Sequence, residues 1–433
     1  MGPPRATDRV RPPKQLARIT ILGGHAIARI IGAQQRTAFE DVSVHRIRSR
    51  PQQMYISSIR LRNWKNFKDT SANMRQRVFV IGPNASGKSN FLDAFRFLRD
   101  VAEKGLKYAV EVRSGVSAIR CLAATRYTNI ELDVELAEGS QVLWNYQLEF
   151  NQDAAQRPTV RREVVKRNGS ELLVWPGDRA GTDALLATQT ALEQISLNHN
   201  FRDISDFFKA ITYQHLLPQV VRDPRGFSAA PVQDDPFGRD FLLRMWRTPE
   251  KTRNSRLAKI HKALQSAVPQ LSDLSVEMDH LTGTPHLVGR YEHWRPHGAM
   301  QNESQFSDGT LRLVGLLWML FEGSGPLLTE EPEISLHPAV VEKIPSLMFR
   351  IGQLRKDVQR QIIVSTHSVD LLEDRGIAAE EILILKPSPD GTVIETASEA
   401  DKAAVQGGLS AADVLLPQAA PANIGQLPFA FDE

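Results

Sequence analysis

Gly82-Pro83-Asn84-Ala85-Ser86-Gly87-Lys88-Ser89 follows the apolar run Val78-Phe79-Val80-Ile81. It precedes a segment in which Phe91, Ala94, Phe95, Leu98 and Val101 recur at helical spacing. The octet fits G-x-x-x-x-G-K-[ST] in the strand-before, helix-after context that gives this spacing its meaning. Glycines let the backbone curl so that its N–H groups converge on an anion, and the helix start adds positive potential. Gly82 through Asn90 are therefore the candidate contacts for a nucleotide. Lys88 is expected on the β- and γ-phosphates, and Ser89 on Mg²⁺. An α/β fold follows, with this turn at the carboxyl end of a strand.

The second half of the chain repeats the strand-to-loop pattern twice. Leu327-Leu328-Thr329 runs into Glu330-Glu331-Pro332-Glu333, and Ile362-Ile363-Val364 runs into Ser365-Thr366-His367-Ser368. Phe306-Ser307-Asp308-Gly309 opens an apolar helix over Leu311–Phe321; Ser307 suits an N-cap and Asp308 a first turn, so capping alone also accounts for them. The acids read either as a metal-facing and a catalytic pair or as a solvated turn. His337 in Leu336-His337-Pro338 reads equally as a loop contact or a helix cap.

In this order the motifs resemble the ABC-type ATPases, and within them the RecF/SMC/OLD-like branch, whose first strand is similar to Ile59-Arg60-Leu61-Arg62-Asn63-Trp64-Lys65-Asn66-Phe67. The resemblance covers residues 54–104 and about 300–386. It implies a P-loop core with a mixed central sheet flanked by helices, an antiparallel β-subdomain and an α+β insertion. It implies bound ATP and Mg²⁺, with Glu330 beside Ser89 at the metal, Glu331 orienting or deprotonating the attacking water, and His367 donating to the γ-phosphate. Ser307 and Gly309 correspond to the signature that meets ATP held by a second copy of the chain, giving a head-to-tail sandwich dimer. One departure stands out: the branch has Asp where this chain has Glu330, one methylene longer.

Charge, periodicity and motif order together divide the chain into a basic leader (1–53), an ATPase lobe with the phosphate loop (54–102), an insertion of antiparallel strands and helices (103–300), a lobe with signature, Walker B and switch histidine (301–415), and a tail (416–433). Strands are expected across 128–175, with Asn168-Gly169 as a hairpin turn, helices over 183–212 and 236–267, a strand from His286 to Trp294, a helix over 338–356, and a closing hairpin around Asp390-Gly391.

Composition sets the outer limits. With 42% hydrophobic and 24% charged residues, the chain has the make-up of an ordinary globular protein. The net charge of +3 is misleading, because residues 1–53 carry ten Lys/Arg and three Asp/Glu, leaving the remainder at −4. Met54 is an expected alternative start. The single cysteine, Cys121, excludes an internal disulfide and fits a reducing cytoplasm. The most apolar run, Leu313–Phe321, is about half a membrane span, and no zinc spacing, Gly-x-Ser-x-Gly elbow or nuclease-type acid cluster is evident.

Three readings of function follow: an ATP-driven dimer switch in DNA repair, maintenance or phage defence, acting through DNA or an effector protein; a non-hydrolysing ATP sensor, which Glu330 favours; and a transporter's nucleotide-binding subunit, which the long insertion disfavours. The charged helix near 249–263 either binds phosphate or faces water. The tail peptide Gln426-Leu427-Pro428-Phe429-Ala430-Phe431 resembles the short peptides that dock on the bacterial DNA sliding clamp, or is an ordinary chain end.

Overall fold

Val78 and Val80 point into one hydrophobic core and Phe79 and Ile81 into another. A strand whose alternate residues both find apolar partners must lie inside a sheet covered on two faces, and this one organises the molecule. The computed structural model describes residues 54–177, 185–224, 235–292, 299–355 and 359–420. The basic leader and the tail peptide 426–431 lie outside the described residues.

In chain order the described strands begin with β1 (Tyr55–Trp64), β2 (Phe67–Asn73), β3 (Arg77–Ile81), β4 (Ile130–Glu138), β5 (Gln141–Gln152), β6 (Pro158–Arg167), β7 (Ser170–Trp175) and β8 (Thr212–Gln214). They continue with β9 (Leu271–Asp279), β10 (Thr284–Tyr291), β11 (Ala299–Asn302), β12 (Leu327–Glu330), β13 (Ile362–Ser365), β14 (Ile382–Ser388) and β15 (Gly391–Thr396). The central sheet runs β15-β14-β3-β13-β12-β8 and is parallel except for the β14–β15 hairpin. A second sheet, β2-β1-β4-β5-β6-β7, is wholly antiparallel, and β9–β11 form a third.

The helix Lys88–Lys104 sits between the first two sheets. Phe91, Phe95, Phe97 and Leu98 are fully buried among Ile59, Leu61, Leu132 and Phe150 of the antiparallel sheet. On the other face of the central sheet lies the helix Asp308–Phe321, whose Val314, Leu317 and Trp318 are buried against Phe79, Leu327 and Val364. The sheet thus has both faces dry, which is why β13, Ile-Ile-Val-Ser, is buried at every position.

The strands expected over 128–175 are present, and Asn168 and Gly169 both take left-handed φ values, 48° and 79°, at the β6–β7 turn. The stretch 103–300 is distributed among all three sheets. Its first strands extend β1 and β2, and Thr212–Gln214 is an edge of the central sheet itself. Over 183–212 the described part holds one regular helix, Arg202–Lys209, and short 3₁₀ turns, in place of a long helical segment. The helix over 338–356 is divided into Pro338–Val341 and Ile344–Leu354. Pro345 within the second piece lacks the N–H that would continue the ladder backwards.

Two carboxyls lie behind the antiparallel sheet, Glu163 fully buried and Glu193 half-buried. Glu163 on β6 is fully buried and accepts from Tyr146 Oη at 3.0 Å and from the Ala191 and Leu192 amides at 2.6 and 3.0 Å. Glu193 accepts from the Leu106 amide at 2.7 Å. Burial pushes both up to about 7 from an ordinary 4.5. Between those values the folded chain holds protons that the unfolded chain has released. The contribution is full below about 4.5 and is lost as pH rises through about 7. The fall in urea-unfolding stability between about pH 5 and pH 8 is expected to be shallower in Glu163→Gln than in the parent chain. Parallel curves would show that this pair does not titrate on unfolding.

Candidate functional site

Ser89 Oγ donates to Glu330 Oε2 at 2.9 Å although the two residues lie 241 positions apart. The parallel register explains the meeting. Glu330 is level with Ser365, and Ser365 with Val80, so β12, β13 and β3 end side by side and their loops share one edge. Loops at the carboxyl ends of parallel strands are where an open α/β sheet receives ligands.

The turn at Gly82–Ser89 is built to leave donors free. Gly87 has φ 97°, and the helix that begins at Lys88 has no side-chain cap and no acid in its first turn. Its leading N–H groups are the ones a helix leaves unsatisfied. Ser86 Oγ is buried without a partner among the described residues. Lys88 is nearly buried and folds back to donate to Gly82 O at 2.9 Å and Pro83 O at 3.2 Å. Burial lowers the ammonium's pKa; Glu331, Glu330 and Glu333 work in the opposite direction. Uncapped amides, a buried hydroxyl and a lysine held only by carbonyls of its own loop fit a phosphate chain.

Asn66, outside the motif, holds this turn in shape. Its amide donates to Ser86 O at 2.9 Å and Thr392 Oγ1 at 2.7 Å, and its Oδ1 accepts from Asn90 Nδ2 at 2.8 Å. A Cβ on Gly87 would stand 2.1 Å from Asn66 Nδ2. Thr392 Oγ1 adds a bond to Ser86 O at 2.9 Å. The sequence offered no signal for Thr392, which is 306 residues from Ser86.

The acidic turn after β12 is not solvated throughout. Glu330 reaches Ser89 through one oxygen and Tyr213 Oη through the other, at 3.0 Å. Glu331 takes φ 43°, an unfavourable conformation for a residue with a Cβ, and its Oε1 lies 3.1 Å from His367 Nδ1. Glu333 is buried, accepts from Thr366 Oγ1 at 2.5 Å, and is pushed upward in pKa by burial. It ties the turn to the loop that carries His367. Gln214 was also missed. It is fully buried opposite Thr329, with both amide atoms lacking a partner among the described residues.

Ser307 caps its helix by accepting from the Thr310 amide at 3.1 Å. Gly309 packs so closely that a Cβ would lie 2.6 Å from Ser335 O, which joins this helix start to the turn after Glu331. Asp308 is paired with Arg222 at 2.6 Å. Among the described residues no hydrogen bond links Ser307 or Gly309 to the Lys88 turn of the same chain. His337 caps the short helix Pro338–Val341, its Nδ1 accepting from the Ala339 amide at 3.2 Å.

A family model described as "AAA domain, putative AbiEii toxin, Type IV TA system" matches residues 77–373, from β3 to the end of the short helix Val369–Leu372 that follows β13. The chain belongs to this AAA family. It is therefore a P-loop ATPase by family. A distant relative is the Old nuclease of Escherichia phage P2, 20% identical over an alignment of 377 residues that covers 79% of this chain and 61% of the relative. The chain thus spans about three fifths of that curated relative. Among solved structures, the SMC head domain from Thermotoga maritima aligns at 15% identity and TM-score 0.43, over 79% of this chain and 99% of that one. The Smc head domain with an extended coiled coil derived from Pyrococcus furiosus aligns at 12% and 0.47, over 82% and 99%. No helix of the described residues is long and apolar enough to cross a membrane.

Asn66→Ala removes two donations that brace the AAA-family phosphate turn while leaving every motif residue in place. ATP affinity, read by titration with a fluorescent analogue, is expected to fall by about tenfold, the equivalent of one or two neutral hydrogen bonds. Unchanged affinity would mean that the turn holds its shape without Asn66.

Proposed function

We propose that this chain binds ATP with Mg²⁺ at the Gly82–Asn90 turn, hydrolyses it, and does so as a head-to-tail pair in which each copy completes the other's site. The observation that carries the reading is the convergence of an uncapped helix start, Lys88, and the strand-end acids Glu330 and Glu331 on one edge of the sheet. Lys88 leaves the Gly82 and Pro83 carbonyls to take the β- and γ-phosphates. Ser89 and Glu330 would hold the Mg²⁺. When bound, Mg²⁺ neutralises charge on the phosphate oxygens. Glu331 takes a proton from water as that water's oxygen attacks the γ-phosphorus and the bond to the β-phosphate oxygen breaks. His367, in contact with Glu331, steadies it and donates to the γ-phosphate.

Ser307 and Gly309 supply the trans half. The amides of their helix start are free of bonds to their own chain's phosphate turn, and an anion is the natural partner of such a start.

Sizing of Glu331→Gln tests the reading. With Mg-ATP it is expected to elute at twice the mass found without nucleotide, and adding Ser307→Arg is expected to return it to the monomer. Wild-type turnover is expected to fall at least 100-fold in Glu331→Gln. A monomer at saturating Mg-ATP, with turnover untouched by Ser307→Arg, would refute the shared site. Absent wild-type hydrolysis with dimerisation intact would favour the ATP-sensor reading.

The switch is proposed to act on DNA, and the helix Glu250–Leu264 supports that partner. Residues 241–264 hold seven Lys/Arg and one acid. Arg247, Lys251, Lys259 and Lys262 are exposed and form no ion pair among the described residues. Arg256, Lys259 and Lys262 repeat every third position, a like-charge spacing that costs helix stability. The patch lies on the signature helix, with Arg256 over Trp318 and Lys259 over Phe321. Lys259→Glu/Lys262→Glu is expected to weaken duplex binding at least tenfold at about 0.1 M salt and to flatten log K against log salt by about two units. A slope equal to wild type would exclude this face.

A further inference from the structure

Glu330 carries one methylene more than the aspartate that its position resembles, and the structure shows how the extra length is used. The carboxylate is held at both ends: Oε2 accepts from Ser89 Oγ at 2.9 Å and Oε1 from Tyr213 Oη at 3.0 Å. A glutamate with one free oxygen would spread over several rotamers, and ordering it would cost side-chain entropy. Held at both oxygens, it presents a single edge to Ser89.

Tyr213 belongs to β8, the edge strand that lies parallel to β12 with Leu328 opposite Tyr213. Glu330 is two residues beyond Leu328 and so on the same face of the sheet. A phenol leaning along the strand can reach it, whereas a shorter side chain at 213 could not. The ring is itself fixed. It is 8% exposed, and the Arg96 guanidinium lies 4.1 Å from its centroid. Arg96 projects from the same helix as Lys88 and Ser89. His215 adds a ring-nitrogen contact to Glu330 O at 3.3 Å. An aspartate at 330 would withdraw the acceptor and leave a buried hydroxyl without its partner, which is costly.

We propose that Tyr213 is the positioning residue for the metal-facing acid: its hydroxyl locks the longer Glu330 so that one oxygen alone is delivered beside Ser89, and the Tyr213–Glu330 pair does what a bare aspartate does elsewhere. Second-sphere hydrogen bonds of this kind set metal affinity by orienting the ligand. The proposal rests on the ATP·Mg²⁺ reading given above and adds a residue from a strand outside the recognised motifs.

The test uses the full chain in the Glu331→Gln background, so that the readout is binding and not turnover. Binding of a fluorescent ATP analogue is titrated with Mg²⁺, and a parallel titration is run in chelator. Tyr213→Phe keeps the ring under Arg96 and removes only the hydroxyl. It is expected to raise the half-saturating Mg²⁺ by about tenfold while leaving chelator binding unchanged. Glu330→Asp is expected to raise it comparably, and the double variant is expected to match the worse single variant, because both remove one interaction. An unmoved Mg²⁺ midpoint in Tyr213→Phe, or effects that multiply in the double variant, would overturn the positioning role while nucleotide binding stands. Failure of the parent chain to bind the analogue under either condition would instead overturn the ATP reading, and this inference with it.

Discussion

The parallel hydrogen bonding of β3, β13, β12 and β8 is the constraint on which the rest depends. Strands in parallel register end at one level, so Ile81, Ser365, Glu330 and Gln214 deliver their following loops to a single edge. Each strand is only three to five residues long. What keeps such short strands in register is dryness on both faces: one core beneath the helix Lys88–Lys104, the other beneath Asp308–Phe321. A one-residue slip in any of them would exchange the two apolar sets and separate Ser89 from Glu330.

The site that results is electrostatically unfinished. Lys88 sits in the field of three glutamates, with its ammonium spent on two carbonyls of its own loop. The helix start beside it has no cap. Under the proposed function, a triphosphate with a divalent cation would complete both sides of this balance, the anion against the amides and the lysine and the cation against Glu330. The left-handed Glu331 and Ser335, at φ 43° and 65°, flank this turn. Backbone strain held by surrounding structure is common where a loop must aim side chains at a reacting group.

The antiparallel sheet has a second use besides covering a core. The β1–β2 turn carries Asn66, and the β14–β15 hairpin carries Thr392; both grip Ser86 O from outside the motif. Gly391 lets the two turns touch, since a Cβ there would lie 2.7 Å from Asn66 O. The phosphate loop is therefore clamped between the two ends of the chain's ATPase portion.

The phosphate turn, the two later strand ends and the helix start at Ser307 are legible in the amino-acid string, because each is a local pattern: a glycine spacing, an apolar run ending in acids, a capping serine. So are the β6–β7 and β14–β15 turns, where Asn-Gly and Asp-Gly state their own geometry. That Thr212–Gln214 is a strand of the central sheet emerges from folding alone, since three residues carry no period and their partners lie more than 100 positions downstream. The same holds for Tyr213 on Glu330, Asn66 on Ser86, Arg222 on Asp308 and the burial of Glu333. Each is a meeting of side chains from separate elements, brought about by sheet register and packing, and no local spacing records it.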